Sequence, residues 1–302
     1  MPSVAIITDD PGWHGAVLTR TLEARGFECR TLSLTACRFD LNRPKPVVMP
    51  GFERELPTGV FIRGVPGGTL EQVILRLDLL HALRDLGIVV YNDGRAIERT
   101  VDKAMTSFLL KRAGVPTPDT WVLETESEAR ALVESELARN IPLVMKPLFG
   151  SQGAGVILVD RSEALPSAED YGQVYYLQRY IDSRDSEWRD WRVLVIGGQA
   201  VAVMQRRSSH WITNRARGGR CLAVDLDAPL AMLAEEAARA VVIDYAGVDL
   251  MQDHDGRFLV TEVNSVPAWQ GLQGVTRFDI AERLADHFLS RFDAARPRPA
   301  IA

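Results

Sequence analysis

The segment "GVDLMQDHDGRFLVTEVN" (residues 247–264) has the pattern of a β-hairpin, because two apolar runs flank a polar turn at Asp255-Gly256. Glu262 and Asn264 are two residues apart, and side chains at this spacing in a strand point to the same face. Counting outward from the turn places Asp249 opposite Glu262. Three oxygen-bearing side chains are therefore expected at one end of adjacent strands, and oxygen ligands suit Mg²⁺. For Glu262 and Asn264 alone, an edge strand with a solvated polar face is an equal alternative.

A second segment with a chemical pattern is "VMKPLFGSQGAGV" (residues 144–156). Lys146 ends an apolar strand, and three glycines follow within the next nine positions. Backbone N–H groups in such a loop can bind phosphate oxygens. The segment is neither a Walker A loop nor a dinucleotide fingerprint, because it lacks G-K-[ST] and is followed by a strand. By itself a glycine-rich hairpin is more often an ordinary turn, and Lys146 beside it favours the phosphate-binding alternative.

Composition indicates a globular protein, with 302 residues, 46% hydrophobic and 25% charged residues and a net charge of −5. This acidic balance indicates neither nucleic-acid nor membrane binding. No apolar run reaches about 18 residues, and the first segment is too short and too acidic for a signal peptide. The cysteines Cys29, Cys37 and Cys221 lack C-x-x-C spacing and are expected to be reduced thiols. We therefore expect a cytoplasmic protein, and the five histidines lack the H-E-x-x-H pattern of a zinc site.

The order of predicted elements indicates an α/β protein. In the first part of the chain strands alternate with helices, which favours a parallel sheet. The expected strands there are 4–8, 58–64 and 88–92, and the expected helices are 14–26 and 69–87. Later come helices at 102–114, 126–139, 228–245 and 279–292, a strand at 175–181, and a hairpin at 190–208 that turns at Gly197-Gly198. The predicted domains are 1–98, 99–182 and 183–302.

Taken together, Lys103 in "DKAMTSFLLKRAGVPTP", the glycine loop, "LQRYI", "DWRVLVIGGQAVAVMQRRS", "TNRARGG", "AGVDLM" and "TEVNSVP" resemble the ATP-grasp ligases. Within that class the chain is similar to the RimK-like family typified by ribosomal protein S6 glutamate ligase. The resemblance covers roughly residues 58–290. It implies an ATP-grasp fold, with an N-terminal parallel-sheet lobe and two antiparallel-sheet lobes that clamp ATP. It also implies that a carboxylate is joined to an amine through an acyl phosphate.

The resemblance also implies roles for individual residues. The implied nucleotide-binding residues, with a lid loop at 150–155 and a segment at 178–181 that reads adenine, are Lys103, Lys146, Gly150, Ser151, Gln152, Gly153, Gln178, Arg179, Tyr180, Ile181 and Asp190. The implied catalytic residues are Arg192, Arg206 and Asn214. Asp249, Glu262 and Asn264 match the ligands of one or two Mg²⁺ ions, with Mn²⁺ as an alternative ion. Arg179 is a departure, because many relatives carry glutamate at this point.

The loop "TDDPGWHGAVL" (residues 8–18) follows the first strand, at the carboxyl edge where α/β sheets bind ligands. Asp10, Trp13, His14 and Arg63 are the predicted substrate residues, because Trp13 can stack on a ring and Arg63 can pair with a carboxylate. The alternatives are a loop whose Asp10 caps the following helix and an ordinary surface arginine.

The resulting hypothesis is an ATP-dependent carboxylate–amine ligase. It adds glutamate or another amino acid to a carboxylate of a cofactor, peptide or protein. One candidate acceptor is a one-carbon carrier of the tetrahydromethanopterin or methanofuran type, because "ITDDPGWHG" is loosely similar to ligases that act on such cofactors. The expected partners are the acceptor, the amino acid and further copies of the chain, without nucleic acid or membrane. The alternative is a non-catalytic ATP-binding regulatory protein of the same fold.

Overall fold

The computed structural model describes residues 2–150 and 152–295, and these divide into two compact units. The first unit contains residues 2–98, 243–245 and 265–295, and the second contains residues 99–150, 152–242 and 246–264. The predicted three-part division of the chain stays a prediction. No helix in the described ranges combines the length and the apolar character that a membrane span requires.

The strands are β1 (Ser3–Ile7), β2 (Glu28–Leu32), β3 (Arg38–Phe39), β4 (Val47–Val48), β5 (Gly59–Ile62), β6 (Val89–Tyr91), β7 (Thr120–Leu123), β8 (Leu143–Lys146), β9 (Ile157–Val159), β10 (Tyr175–Arg179), β11 (Trp188–Ile196), β12 (Gln199–Ser208), β13 (Arg220–Ala223), β14 (Tyr245–Gln252) and β15 (Phe258–Asn264). The α-helices are α1 (Gly12–Glu23), α2 (Leu70–Asp85), α3 (Gly94–Val101), α4 (Lys103–Arg112), α5 (Glu126–Leu137), α6 (Ala228–Val241), α7 (Gln270–Gln273) and α8 (Ile280–Ala295).

The first unit is built on the parallel sheet that the alternation of strands and helices predicts. Its strand order is β2-β1-β5-β6, and all three pairings are parallel. The residues of β1 and β5 are almost all fully buried, which explains their continuous apolar sequences. Helices α1 and α8 pack against each other in this unit. The carboxyl ends of β1 and β5 therefore lie side by side and carry the loop before α1 and Arg63.

Helix α2 exposes part of the apolar stripe that its sequence places in the core. Leu70 and Ile74 are exposed, whereas Leu79, Leu80 and Leu83 are buried. The helix begins at a capping box formed by Thr69 and Gln72. Its buried face also includes Arg76, whose guanidinium donates to the carbonyls of Pro66 and Gly67. The carbonyl groups of the loop before the helix thus bind an arginine on the buried face of α2. The periodicity of apolar residues could not predict a buried arginine.

The second unit contains two antiparallel sheets. Their strand orders are β7-β10-β8-β9 and β13-β12-β11-β14-β15. The hairpin of β11 and β12 turns at Gly197 and Gly198, both with positive φ, as predicted. Asp102 caps α4 by accepting hydrogen bonds from the backbone N–H groups of Ala104 and Met105, also as predicted. Helix α6 ends at Val241 rather than at residue 245, because Val242 adopts a left-handed conformation with φ of 58°.

The sequence pattern misplaced the core face of α4 and missed two helices. Met105 and Phe108 were expected in the apolar stripe but are exposed, and the buried positions are Thr106, Leu109 and Leu110. Thr106 is tolerated there because its hydroxyl donates to the carbonyls of Arg99 and Asp102. The helices α3 and α7 are short and were not predicted.

Candidate active site

The hairpin of β14 and β15 has the register that the opening segment predicts. Asp249 pairs with Glu262, and Gly247 pairs with Asn264. Two irregularities cancel to give this result. The turn holds three residues, because the N–H of Asp253 donates to the carbonyl of Arg257, and the register then shifts by one residue between Asp249 and Leu250. Asp249 and Glu262 consequently meet across adjacent strands.

A cavity in the second unit collects most of the predicted site residues. Its walls come from both antiparallel sheets, the glycine loop and the segment 211–214. The predicted residues that line it are Lys103, Lys146, Gly150, Gln152, Gly153, Gln178, Arg179, Tyr180, Ile181, Asp190, Arg206, Asn214, Asp249 and Glu262. Arg192 and Asn264 are not among the lining residues. Ser151 lies outside the described residues.

Two lysines give the cavity its positive charge. The ammonium of Lys146 donates to Oε1 of Gln178 at 2.7 Å, and that of Lys103 donates to the carbonyl of Gly150 at 2.9 Å. Neither lysine forms a salt bridge within residues 2–150 and 152–295. Burial lowers the pKa of both lysines, that of Lys146 to about 8, although the charge of Glu262 opposes this change. Two lysines that form no salt bridge in this part of the chain have the charge that a polyanion such as a polyphosphate requires.

The glycine loop and the segment after β12 approach each other closely. A Cβ atom on Gly153, whose φ is +72°, would lie 2.8 Å from Cγ2 of Ile212. A Cβ atom on Gly219 would lie 1.9 Å from the carbonyl oxygen of Thr213. Gly153 is required because its backbone is left-handed and because a side chain there would collide with Ile212. Gly219 is required because a side chain there would collide with the backbone of Thr213. The loop is placed against the segment that carries Asn214, and its movement as a lid stays a prediction.

A chain of alternating arginines and aspartates supports one wall of the cavity. Arg192 donates to both carboxylate oxygens of Asp249, at 2.7 and 2.6 Å. Arg206 lies 3.2 Å from Asp249 and also forms a bidentate pair with Asp190, at 2.7 and 2.5 Å. Burial raises the pKa of Asp249, but the two arginines outweigh it and hold the pKa at about 2. Asp249 is therefore ionised, and Asp190 and Asp249 each orient an arginine.

The predicted metal ligands differ in how much of their bonding capacity is free. Glu262 has neither an ion pair nor a hydrogen bond to its carboxylate among the described residues. Asn264 donates its side-chain N–H to the carbonyl of Gly247 at 3.3 Å, which leaves its carbonyl oxygen available. Three arginine N–H groups occupy Asp249, and a carboxylate offers about four acceptor positions. The described residues contain no group of three or more histidine, cysteine, aspartate or glutamate side chains suited to a metal. The set fits Mg²⁺ only if phosphate oxygens complete its coordination.

The segment at 178–181 uses its side chains for internal contacts. Gln178 is buried, accepts from Lys146 and donates to Oγ1 of Thr120 at 3.0 Å. The guanidinium of Arg179 forms ion pairs with Glu136, at 2.7 Å, and with Asp119. The guanidinium of Arg179 therefore connects α5 to the sheet, and because Arg179 also lines the cavity its contact with the nucleotide stays a prediction.

Several cavity residues carried no sequence signal. Val144, Pro147, Ile212 and Met251 are apolar, and the sequence pattern predicts no role for them. Trp211 also lines the cavity, and its ring lies 6.0 Å from that of Tyr180 in an edge-on arrangement. The one signal for Trp211 is an aromatic residue in the otherwise polar loop that follows β12. Such residues provide the apolar walls that a ring-shaped ligand requires.

Three of the four predicted substrate residues form a cluster in the first unit. The guanidinium of Arg63 stacks 4.4 Å above the ring of Trp269 and donates to the carbonyl of Pro267 at 3.0 Å. His14 accepts hydrogen bonds through Nε2 from the backbone N–H groups of Trp269 and Gln270. The ring of Trp13, which is partly exposed, lies 6.4 Å from that of Trp269. Trp269 lies just past Glu262 and Asn264 in the sequence, where small residues are common in the family that the chain resembles.

Asp10 does not cap helix α1 and makes no described hydrogen bond to this cluster. The residue at the cap position is Pro11, without a side-chain hydrogen bond, and Asp10 instead forms a local turn with Thr8. The capping alternative is therefore wrong. Two donors in the cluster, Nε of Arg63 and Nε1 of Trp269, are buried without a hydrogen-bond partner in the described part of the chain. Arg63 also lacks an acidic partner there.

Comparison with known proteins agrees with this architecture. A tetrahydromethanopterin:α-L-glutamate ligase from Methanococcus maripaludis is 32% identical over 236 residues, which cover 76% of this chain and 78% of the relative. A probable α-L-glutamate ligase 1 from Shewanella amazonensis is 29% identical over 92% of both chains.

Solved structures share the fold. The ATP-grasp ligase PsnB, in complex with a phosphomimetic variant of its minimal precursor, Mg and ADP, has a TM-score of 0.74 at 19% identity and covers 96% of this chain and 99% of that chain. A RimK domain ATP-grasp protein from Sphaerobacter thermophilus has a TM-score of 0.69 at 22% identity and covers 95% and 99%. Both confirm the predicted ATP-grasp fold. At the level of sequence, residues 100–288 match the family model of the RimK-like ATP-grasp domain. The chain therefore belongs to the RimK-like family of ATP-grasp ligases.

Proposed function

We propose that this ligase is an ATP-dependent α-L-glutamate ligase that forms an amide bond on a small cofactor or a peptide. The observation that carries the proposal is the cavity of the second unit, in which Lys103, Lys146 and Glu262 form no salt bridge with any described residue. Two free cations and one free carboxylate match the triphosphate and the metal of Mg·ATP. The relatives named as glutamate ligases support glutamate as the amine substrate.

The residues of the cavity divide naturally between nucleotide and metal. Lys103, Lys146 and the glycine loop would hold the phosphates, and the segment 178–181 with Trp211 would enclose the base. Glu262 and Asn264 would hold Mg²⁺ with the remaining acceptor position of Asp249, and Mn²⁺ is the expected alternative ion. A bound metal would neutralise phosphate charge during transfer to the acceptor carboxylate.

The protein's own groups then lower the barrier to reaction between two anions. Arg206 is fixed by Asp190 and Asp249, so its charge is already oriented before substrates arrive. Asn214, beside the glycine loop, would contact the transferring phosphoryl group. Arg192 is held against Asp249 and acts by orienting that carboxylate. The acyl phosphate that the family chemistry implies is hydrolysed by water, and closure of the loop over the phosphates would protect it.

The acceptor is assigned to the cluster in the first unit. Arg63 lacks an acidic partner in the described chain and has a buried Nε without an acceptor, so a substrate carboxylate would satisfy it. Trp13 and Trp269 provide ring faces for an aromatic acceptor such as a pterin. His14 positions the backbone of Trp269, and Asp10 lies two residues before the helix that presents Trp13. A one-carbon carrier of the tetrahydromethanopterin type has both a carboxylate for Arg63 and an aromatic ring for the two tryptophans.

A direct measurement of ADP release tests the function. The protein is incubated with Mg·ATP, glutamate and either a tetrahydromethanopterin-type cofactor or an acidic peptide, and the product is identified by mass spectrometry. ADP release that requires both glutamate and an acceptor supports the ligase. ATP binding without turnover for any amino acid and acceptor would support the regulatory alternative.

The three cysteines are free, which agrees with the expected cytoplasmic location. A homo-oligomer is expected from the family.

The substitution Trp13→Ala tests the acceptor assignment. We expect a rise of about tenfold in the acceptor KM, because a stacking contact of about 1 kcal/mol or more is lost, with the KM for ATP nearly unchanged. Steady-state kinetics with each substrate varied in turn gives both constants. A rise in the ATP KM alone would assign this loop to the nucleotide. Trp188→Ala, in β11 of the second unit, is the matched control and is expected to leave the acceptor KM unchanged.

A further inference from the structure

A second groove in the second unit shares no lining residue with the nucleotide cavity. It has a volume of about 520 Å³ and lies between helix α4 and the segment 117–122, which includes most of strand β7. On the helix, the lining residues Ala104, Ser107, Phe108 and Lys111 recur at spacings of three and four and therefore share one face. The opposite wall is an edge of the four-stranded sheet, because β7 is the first strand in the order β7-β10-β8-β9.

The hydrogen-bond phase of β7 leaves backbone groups free along this edge. The N–H of Arg179 donates to the carbonyl of Asp119 at 2.9 Å, so these two residues form a hydrogen-bonded pair. Bonded and non-bonded pairs alternate in an antiparallel ladder, and Gln178 pairs with Thr120. The N–H and C=O groups of Thr120 and Val122 therefore point away from β10. Within residues 2–150 and 152–295 no backbone group is bonded to them.

The residues of this edge strand give it little protection against strand pairing. Natural proteins guard free edges with charged side chains, proline or bulges, and the four residues of β7 include none of these, whereas Pro118 and Asp119 directly precede the strand. Two apolar side chains stand beside it instead, with Phe108 57% and Val122 42% exposed. An unguarded edge beside an apolar helix face is the arrangement by which several domain families bind extended peptides.

The charge of the groove selects the kind of peptide. Lys111 lines the groove, and the adjacent Arg112 stacks 5.6 Å from the ring of Phe108. Neither has a carboxylate within ion-pair distance in the described ranges. The acidic residue of the groove, Asp119, is already paired with Arg179. The groove therefore has uncompensated positive charge, which complements an acidic ligand. A second copy of the chain would oppose two identical positive surfaces across a two-fold axis, which disfavours self-association here.

We propose that this groove binds an extended acidic peptide, which adds a strand to the free edge of β7. Its backbone would pair with the N–H and C=O groups of Thr120 and Val122. An apolar side chain of the peptide would contact Phe108, and an acidic side chain would reach Lys111. The proposal is independent of the acceptor assignment, because it concerns a different surface from the nucleotide cavity and from the cluster around Arg63.

Fluorescence anisotropy with a labelled hexapeptide of alternating glutamate and valine tests the proposal on the full chain. We expect saturable binding that weakens by about tenfold or more when alternate backbone nitrogens are methylated, or when lysine replaces glutamate, since each change removes about 1.4 kcal/mol or more. Failure of the glutamate peptide to bind at millimolar concentration, or equal binding of the three peptides, would overturn the proposal.

Variants locate the binding at the groove. Val122→Pro removes one edge N–H and is sterically tolerated on an edge strand, whereas Val122→Thr keeps the N–H and serves as its control. Lys111→Glu reverses the charge, and Lys45→Glu makes the same change on an exposed residue of the first unit. We expect about tenfold weaker peptide binding for Val122→Pro and Lys111→Glu and unchanged binding for the controls Val122→Thr and Lys45→Glu. ADP release should be unchanged in these variants. Unchanged peptide binding in Lys111→Glu would refute the site. The proposal would also be refuted if the wild type bound no peptide and Val122→Pro instead dissociated an oligomer, because the edge would then be an interface between copies of the chain.

Discussion

Replacement of Lys146 by methionine is expected to stabilise the ligand-free protein while abolishing ATP binding. The ammonium lies in the wall of a cavity and forms no salt bridge with a described residue, and burial lowers its pKa from 10.5 to about 8. Below pH 8 the folded protein carries a charge that the unfolded chain solvates more easily. The difference in pKa corresponds to at most about 3 kcal/mol of lost stability at pH 7.

Methionine has a similar length and no charge, so the substitution removes this cost. It also leaves Oε1 of Gln178 without its donor, which costs about 1 kcal/mol. We therefore expect the free energy of unfolding to rise by about 2 kcal/mol at pH 7. ATP binding should be lost, because a cation that faces the phosphates is gone.

The dependence on pH identifies the cause. Between pH 8 and 10.5 the unfolded chain binds more protons at this lysine than the folded protein does. Wild-type stability should therefore rise with pH through this window, and the methionine variant should lack that rise. By pH 10.5 the advantage of the variant should have disappeared, since the neutral lysine keeps its hydrogen bond to Gln178.

Urea unfolding followed by circular dichroism at pH 7 and at pH 10 measures the stability, and isothermal titration calorimetry measures ATP binding. Lys111→Met makes the same chemical change on an exposed lysine and is expected to alter stability by less than about 0.5 kcal/mol at either pH. A Lys146→Met protein that is less stable than the wild type at pH 7 would refute the reasoning. So would a stability difference that is the same at both values of pH.

Two further substitutions separate the metal site from its support. Glu262→Gln is nearly isosteric and should leave stability within about 0.5 kcal/mol of the wild type, while Mg²⁺-dependent ADP release should be lost; normal turnover would remove the metal role from Glu262. Asp190→Asn breaks the bidentate pair with buried Arg206 and should lower the free energy of unfolding by about 3 kcal/mol in urea titrations. Asp286→Asn breaks an exposed pair with Arg25 and should change it by less than about 1 kcal/mol, and equal effects of the two would contradict the assigned support.

The candidate site was predictable where its chemistry is written in local sequence. Lys146, the glycine loop and Glu262 stand beside strands with clear patterns, and the structure brings them into one cavity. The pairing of Asp249 with Glu262 was predicted by counting from the turn, and the count succeeded because a longer turn and a register shift compensate each other. Local sequence could reveal neither irregularity.

Other residues were misjudged because their environment depends on distant parts of the chain. Phe108 has the spacing of a core residue, yet no described element covers it, and it borders an open groove. Arg179 lines the cavity, and its guanidinium is also paired with Glu136 on α5, a partner that local sequence could not reveal. A side chain chooses among partners by distance, and partners that are tens of residues away become neighbours only in the folded chain.

The sequence by itself determined the alternation of strands and helices in the first unit, because periodicity and turn residues are local properties. The order of its motifs carried the resemblance to the RimK-like ATP-grasp family, and the fold was expected from that resemblance. Only the tertiary structure decided how the charges are used. Arg192 and Arg206 come from two strands and meet Asp249 on a third, so that the carboxylate expected to bind metal is largely occupied by arginines. Burial makes this arrangement necessary, because a charge removed from water must find a partner. Glu262 and Lys146 form no salt bridge within residues 2–150 and 152–295, and for this reason we propose that they face a ligand.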